Sequence, residues 1–110
     1  MNTHTINVIK DFGKRPYGRY PEDGEWNGAK FRALLAEKLR EFDHVHVNLD
    51  GYNRYGRSFL DEAFGGLIRE EHFTYDFLQE HLSYSHTLVK SIESLIADRI
   101  KAAARDENVR

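Results

Sequence analysis

The chain has 110 residues, of which 40% are hydrophobic and 31% are charged, so it can form one globular domain with a single core but not two. Its formal net charge of −2 gives no overall attraction to nucleic acid or to an anionic membrane, and we expect neither a membrane nor a specific nucleic acid as partner. Cysteine is absent, which excludes disulfides and thiolate zinc sites, and the first residues do not resemble a secretory leader, so we expect a cytoplasmic protein.

The first part of the chain contains a predicted strand, a turn-rich segment and a predicted helix. Apolar and polar residues alternate over residues 5–12, which predicts the first strand. Residues 13–24 contain both prolines, which indicates a hairpin loop leading into a short strand at about 18–20. Asn27 or Gly28 then opens a helix, and its apolar stripe consists of Phe31, Leu34, Leu35, Leu39 and Phe42.

The middle of the chain predicts a strand, a loop and a helix. Residues 44–49 alternate between polar and apolar side chains, so one face of this strand is buried and the other is polar. Ser58 has the signature of a helix N-cap, so the helix starts at about Phe59. Gly65 and Gly66 lie inside this helix, where each costs roughly 0.5–1 kcal/mol relative to alanine. We expect a close approach of the helix to the sheet to offset that cost. The apolar stripe of the helix is Leu60, Ala63, Phe64, Leu67 and Ile68.

The last third of the chain predicts a short helical turn over residues 73–80, a strand over 81–86 and a long final helix. Ser85 or Thr87 caps this helix. Residues 106–110 should fray. The apolar stripe of the final helix is Leu88, Ile92, Leu95, Ile96, Ile100 and Ala103.

Together these elements predict an α/β fold in one domain over residues 1–110, with its core at about 5–103. Strands that alternate with helices favour right-handed crossovers onto parallel neighbours. The strand of residues 44–49 has only one apolar face, which suits a sheet covered on one side. We therefore expect a mixed sheet of about four strands with three helices packed mainly on one face.

The loop before Ser58 is the first candidate site. Arg54 and Arg57 lie close to a helix N-terminus, whose unpaired N–H groups and dipole favour an anion. Tyr52 and Tyr55 offer rings on which a base can stack, and Arg19 adds positive charge if the turn-rich segment folds beside this loop. A phosphate, a phosphorylated partner or a nucleotide would fit. An ordinary serine cap on a solvated loop explains the same residues, so both interpretations stay open.

Two further groups of polar residues bear on catalysis. Asp61 and Glu62 form an acidic pair, although the helix dipole equally explains negative charge in a first turn. His44 and His46 share one strand face at a spacing that can hold a metal, with His81 on the next predicted strand, and an exposed polar sheet face explains them too. Because no phosphate loop, metal-binding motif or nucleophile with a matching base is present, we expect no cofactor, no bound metal and no enzymatic activity.

Several short runs of the sequence together resemble a known family: Asp11-Phe12, Gly18-Arg19, Phe31-Arg32, VNLDG at residues 47–51 and SFLDEAFGGL at residues 58–67. This combination resembles the STAS-like domains of unassigned function that occur in bacteria and their mobile elements, and it extends over about residues 5–103. More distantly, the strand, the loop and the glycine-containing helix are similar to those of the STAS domain of anti-sigma-factor antagonists.

The resemblance implies a regulatory protein. In those antagonists a serine at the start of this helix is phosphorylated by a partner kinase of the histidine-kinase-like ATPase fold, and Ser58 occupies the comparable place. The resemblance therefore implies a non-enzymatic interaction module that docks through residues 52–62 onto such an ATPase or onto a component of a host system, with Ser58 as phospho-acceptor. It leaves the oligomeric state open. The alternative hypothesis is a small metal-binding or hydrolytic enzyme that uses the sheet face bearing His44 and His46.

Overall fold

Three parallel strands form the sheet on which the rest of the chain packs. The computed structural model describes residues 2–109, with side chains through residue 107. Strands β1 (Thr3–Asn7), β2 (His44–Asn48) and β3 (Leu82–Ser85) lie in the order β1-β2-β3, and both pairs are parallel. The predicted α/β fold class is confirmed. Within the described residues, however, the sheet has three parallel strands and not a mixed set of about four.

The strand predicted at about residues 18–20 is absent because its backbone groups are engaged elsewhere. The Gly18 carbonyl accepts a hydrogen bond from the Gly28 N–H at 2.8 Å, and the Arg19 carbonyl accepts one from the Ala29 N–H at 2.9 Å. These residues therefore satisfy the free N–H groups at the start of a helix and not those of a neighbouring strand. Beyond them, Pro21–Asp23 forms one 3-10 turn.

The first strand also ends earlier than the alternation of residues predicts. It stops at Asn7, and Val8–Phe12 forms a π-helical turn. The Asp11 carboxylate closes this turn by accepting from the Asn7 N–H at 2.8 Å. The turn carries Phe12 into an edge contact with Phe31, with the ring centroids 5.0 Å apart. Phe12 thus reaches the core from a turn, although its spacing suits a strand.

Four helices occur in the described part of the chain. The first begins where the sequence predicts, because Asn27 Oδ1 caps it by accepting from the Lys30 N–H at 2.9 Å. The second runs without a break through a π-helical turn. The helices are α1 (Gly28–Glu41), α2 (Arg57–Leu60, the π-helical turn Asp61–Gly65, and Gly66–Arg69), α3 (Tyr75–His81) and α4 (Lys90–Val109).

The last helix differs from the prediction at both ends. Helix α4 begins at Lys90, and Leu88, which the spacing assigns to its apolar stripe, is 78% exposed in the preceding turn. At the other end the helix continues to Val109, whereas residues 106–110 were expected to fray. Arg110, at the end of that predicted tail, lies outside the described residues. None of the helices within residues 2–109 is both long and apolar enough to span a membrane.

The core lies between one face of the sheet and the helices. Val45, Val47 and Leu49 are fully buried on that face. The Phe64 ring of α2 lies over it, with its centroid 6.1 Å from the Phe31 ring of α1 and 5.8 Å from the Tyr84 ring of β3. The expectation that the helices pack mainly on one face is confirmed, and it leaves the opposite face of the sheet for polar side chains.

Truncation of Phe64 to alanine tests this core. Phe64 has no exposed surface and joins α1, α2 and β3, so Phe64→Ala should lower the free energy of unfolding by about 3–5 kcal/mol. Urea denaturation followed by circular dichroism measures the change. A loss under about 1 kcal/mol would place this side chain at the surface and contradict the packing of α2.

Candidate functional site

Helix α2 starts at Arg57, two residues earlier than the sequence predicts, because a glycine and not a serine is its N-cap residue. Gly56 is the N-cap residue, with an extended backbone and no side-chain hydrogen bond, and its carbonyl accepts from the Leu60 N–H at 3.1 Å. Ser58 lies inside the first turn and is exposed. The prediction that Ser58 caps the helix is therefore wrong. Its hydroxyl is left on the surface at the positive end of the helix dipole.

The loop before α2 contains both free and anchored side chains. Arg54 and Arg57 are exposed, and neither forms an ion pair or hydrogen bond with another described residue, although the charge of Arg57 acts on Asp98 of α4. Tyr55, by contrast, is only 7% exposed, and its hydroxyl donates to the Leu49 carbonyl at 3.0 Å. Burial, followed by the nearby Tyr52 and Asp50, raises the pKa of Tyr55 above its ordinary value. Tyr55 anchors the loop and is not available to stack a base, which corrects the prediction for this residue.

His86, which the sequence did not single out, holds the same loop from the other side. It is 1% exposed, its Nδ1 accepts from the Val89 N–H at 2.9 Å, and its Nε2 lies 2.8 Å from the Tyr52 carbonyl. Because Nδ1 is the acceptor, Nε2 carries the proton and donates to that carbonyl. The imidazole thus joins the loop to the start of α4. A lone histidine between a strand and a helix gives no sequence signal for this role.

The acidic pair of α2 is buried. Asp61 is 9% exposed and Glu62 is 3% exposed, although a position near a helix start predicts solvated carboxylates. Arg19 Nη1 lies 2.7 Å from Asp61 Oδ2 and 3.2 Å from Glu62 Oε1. The sequence predicts that Arg19 adds positive charge to the loop. In the structure its guanidinium instead neutralises two buried carboxylates.

Three more arginines complete what we call the arginine–carboxylate cluster, made of Asp61, Glu62, Arg19, Arg32, Arg69 and Arg99. Arg69 Nη2 lies 3.0 Å from Asp61 Oδ2, and Arg99 Nη1 lies 3.4 Å from Asp61 Oδ1. Arg32 binds Glu62 Oε2 through Nη1 and binds Glu71 Oε2 through Nε at 3.1 Å. The cluster thus connects the turn-rich segment, α1, α2 and α4.

The π-helical turn of α2 accommodates this cluster. A Cβ atom at Gly65 would lie 2.9 Å from Arg69 Nη1 and 3.1 Å from the Arg99 carbonyl oxygen of α4. A Cβ atom at Gly66 would lie 2.8 Å from Arg32 Cδ. The two glycines therefore permit α2 to approach α4 and the arginine side chains closely. The prediction that they permit a close approach to the sheet is wrong. Such single π-turns within helices often mark functional sites.

The charge of the cluster acts on its carboxylates. Burial by itself would raise the pKa of Asp61, but the hydrogen bond from Arg19 and the charge of Arg69 outweigh it, so the pKa of Asp61 is lowered from its ordinary value of 3.8. Asp61 is therefore ionised at neutral pH. The spacing of Asp61, Gly65 and Arg69 at i, i+4 and i+8 was the available sequence signal, because it places all three on one helix face.

The polar face of the sheet holds a second hydrogen-bonded group. Ser83 Oγ lies 2.9 Å from His44 Nε2 and 2.7 Å from His46 Nδ1, and Ser85 Oγ lies 2.9 Å from His46 Nε2. Burial, followed by the charge of His44, lowers the pKa of His46 from 6.5, so His46 is neutral at pH 7. His81 lies at the end of α3, where its Nδ1 is 2.6 Å from the Asp43 carbonyl oxygen. Within residues 2–109, no three His, Asp or Glu side chains form a group that could hold a metal.

Two clefts border the loop and the start of α2. One has a volume of about 230 Å³, and the other has a volume of about 450 Å³. Two of the three large hydrophobic side chains that are most exposed in the described chain line these clefts: Tyr17, which is 63% exposed, and Leu88, which is 78% exposed. The smaller cleft is lined by Tyr17, Gly18, Asp23, Gly56, Arg57, Ser58 and Phe59, and the larger by Gly51, Tyr52, Asn53, Arg54 and Leu88.

The family described as a STAS-like domain of unknown function (DUF4325) matches residues 27–91, which is more than half of the chain. The chain belongs to this family. The matched range runs from the cap of α1 to the second residue of α4 and includes the loop, the exposed Ser58 and both buried carboxylates. Arg19 and Arg99, which complete the cluster, lie outside it. No curated protein and no solved structure matches the chain.

Replacement of Glu62 by glutamine tests the arginine–carboxylate cluster of this STAS-like domain. The change leaves the shape of the side chain nearly intact but removes the charge opposite Arg32 and Arg19, so the free energy of unfolding should fall by about 3–5 kcal/mol. Glu41→Gln is the matched control, because Glu41 is exposed and pairs with Lys38 at 3.6 Å, and its loss should cost under about 1 kcal/mol. Equal losses in urea denaturation would show that burial adds nothing to the Glu62 contacts.

The pH dependence of stability tests the charge state of Asp61. Because its pKa is lowered in the folded state, Asp61 stabilises the fold above about pH 4 and this contribution disappears as the pH falls through the folded pKa. Asp61→Asn should therefore be less stable than the parent protein at pH 7 and lose less stability between about pH 4 and pH 2. Denaturant titrations at several pH values measure both slopes. Identical slopes would contradict a lowered pKa.

Proposed function

We propose that this STAS-like domain is a non-enzymatic module that binds a protein partner through the surface around the start of α2. The observation that carries the proposal is the exposure of Arg54, Arg57 and Ser58 on a backbone that Tyr55 and His86 hold in place. When the backbone of a loop is already fixed, only its side chains have to be ordered on binding, so less conformational entropy is lost than with a mobile loop. This surface is also part of the range that the family shares.

The residue types of this surface favour recognition over catalysis. Exposed arginine and tyrosine side chains are those that most often supply binding energy at protein interfaces, and Leu88 adds an apolar contact beside them. Tyr17 and Ser58 line one cleft, and Arg54 and Leu88 line the other. The partner we propose has an apolar centre and acidic side chains at its rim, opposite the two arginines.

Ser58 is the residue at which we propose that this contact is regulated. Its exposed hydroxyl lies in the first turn of α2 next to Arg57, where the helix dipole and the guanidinium both favour a phosphate. Asp61 and Glu62 lie in the following turn, but the arginine–carboxylate cluster neutralises them, which reduces their repulsion of the phosphate. The resemblance to STAS domains of anti-sigma-factor antagonists supports a histidine-kinase-like ATPase as the partner. In a variant of the same proposal, the chain is a bacterial mobile-element protein and its partner is a component of a host system.

The charge reversal Arg57→Glu tests the proposed surface. It should weaken binding of the partner isolated from the native host by at least about tenfold, because it removes a cation from the interface and introduces an anion. The thermal midpoint should hardly change, since an exposed side chain without an ion pair contributes little to folding. Arg105→Glu, the same change on α4, is the control and should leave binding intact. Calorimetry with the purified partner measures the affinities, and Ser58→Glu in the same assay reports the effect of negative charge at the regulated position.

Variants on the polar face of the sheet give the result that would contradict this proposal. If Arg57→Glu binds the partner normally while His44→Ala and His46→Ala abolish binding, the interface is the polar face of the sheet and the proposed surface is wrong.

A further inference from the structure

A groove separate from the proposed docking surface lies between α4 and the turn that precedes α3. It consists of two adjoining cavities with volumes of about 450 Å³ and 270 Å³, which share Thr74, Tyr75 and Ala104. Both cavities are open to solvent, and the larger one has a volume within the range of sites for small molecules. The groove has no residue in common with either cleft beside the loop before α2.

The apolar part of the groove offers a place for a flat ring. Tyr75 is half-buried, and its ring makes no contact with another described aromatic ring. Ala104 packs partly against the core beside it, and Ile68, which is 7% exposed, lies in the adjoining cavity. Tyr75 packs partly against the core and lines the groove together with the small side chain of Ala104, so a flat ligand ring can stack on its groove side.

The charged part of the groove favours an anion. Lys101 and Arg105 are exposed, and neither has an ion pair or hydrogen bond among the described residues, although the charge of Arg105 acts on Asp98, which itself pairs with Arg99. They are four residues apart on α4, which places them on the same side of the helix. Asp76 is the acidic residue of the larger cavity, so its lining has two positive charges and one negative charge. Glu107 and His72 line the smaller cavity. Because Glu107 belongs to the smaller cavity, the positive charge of the groove is confined to the larger one, where an excess of one charge matches a monoanion better than a phosphate dianion.

The wall opposite α4 is held in one conformation. His72 has a φ angle of 65°, a left-handed conformation that non-glycine residues seldom adopt. The reversal it makes is closed by the hydrogen bond from the Phe73 N–H to the Leu67 carbonyl at 3.0 Å. Thr74 Oγ1 then caps α3 by accepting from the Phe77 N–H at 3.1 Å. A strained residue within an otherwise well-bonded turn is often part of a ligand site.

From this arrangement we propose that the groove binds a small aromatic monoanion, such as an aromatic carboxylate, with its ring on Tyr75 and Ala104 and its charge between Lys101 and Arg105. The aromatic face and the two cations are the two separate requirements of the site. The proposal does not depend on the docking surface around α2, because the two surfaces share no residue.

A set of three probes separates the two requirements. 2-Naphthoate has both the ring and the charge, 2-naphthylmethanol has only the ring, and cyclohexanecarboxylate has only the charge. Each is titrated into the full-length ¹⁵N-labelled protein, and the amide shifts are followed by NMR. We expect saturable shifts at residues 72–76 and 101–107 with 2-naphthoate and at least about fivefold weaker binding of the other two probes. Equal affinity for all three, or shifts that map elsewhere, would overturn the proposal.

Charge variants of exposed side chains complete the test without disturbing the core. Lys101→Gln and Arg105→Gln should each weaken the binding of 2-naphthoate by about two- to fivefold, as expected for one exposed charge contact. Asp76→Asn should strengthen it, because it removes the negative charge of the larger cavity. Arg54→Gln is the matched control on the docking surface and should have no effect. If the affinity is unchanged in Lys101→Gln, Arg105→Gln and Asp76→Asn alike, the groove does not recognise the anion.

Discussion

Two buried carboxylates of helix α2 have to be neutralised, and this requirement determines how several parts of the fold pack together. Asp61 and Glu62 are almost fully buried within α2, where unpaired charges would cost several kcal/mol each. The compensating guanidinium groups come from the turn-rich segment, from α1, from α2 itself and from α4. One pair of acidic residues thereby sets the relative positions of segments that are 80 residues apart in the sequence, from Arg19 to Arg99.

The geometry of α2 follows from the same cluster. Its π-helical turn begins at Asp61, and the space beside Gly65 and Gly66 is occupied by arginine side chains and by the backbone of α4. The helix accepts two glycines and a wider turn, both unfavourable locally, because close packing and paired charges offset them. The start of this helix, where the exposed Ser58 lies, is consequently held by the arginine–carboxylate cluster one turn further along.

The loop before α2 combines this rigid support with free side chains. Tyr55 and His86 bind backbone carbonyls of the segment that joins β2 to α2, so the loop has little freedom of its own. Arg54 and Arg57 remain exposed on it. The groove beside α4 has the same character in another place, since a closed turn and a capped helix form one wall while Lys101 and Arg105 stay unpaired on the other. In both places, a fixed backbone presents exposed cations that form no ion pair with another described residue.

The sequence by itself determined the elements whose signals are local. The alternation of residues 44–49 predicts β2 and its buried face, the spacing from Phe31 to Leu39 predicts α1 with its asparagine cap, and the SFLDEAFGGL run carries the family resemblance. Only the tertiary structure decided the partners of polar groups. The Gly18 and Arg19 carbonyls bind the start of α1 and so form no fourth strand, Tyr55 is buried, Gly56 takes the cap assigned to Ser58, and four arginines from separate segments converge on Asp61 and Glu62. The physical reason is that hydrophobic periodicity records which face of an element is buried, whereas a charge or a hydrogen-bonding group has no periodic signature and takes whichever partner the packed fold brings within about 3 Å.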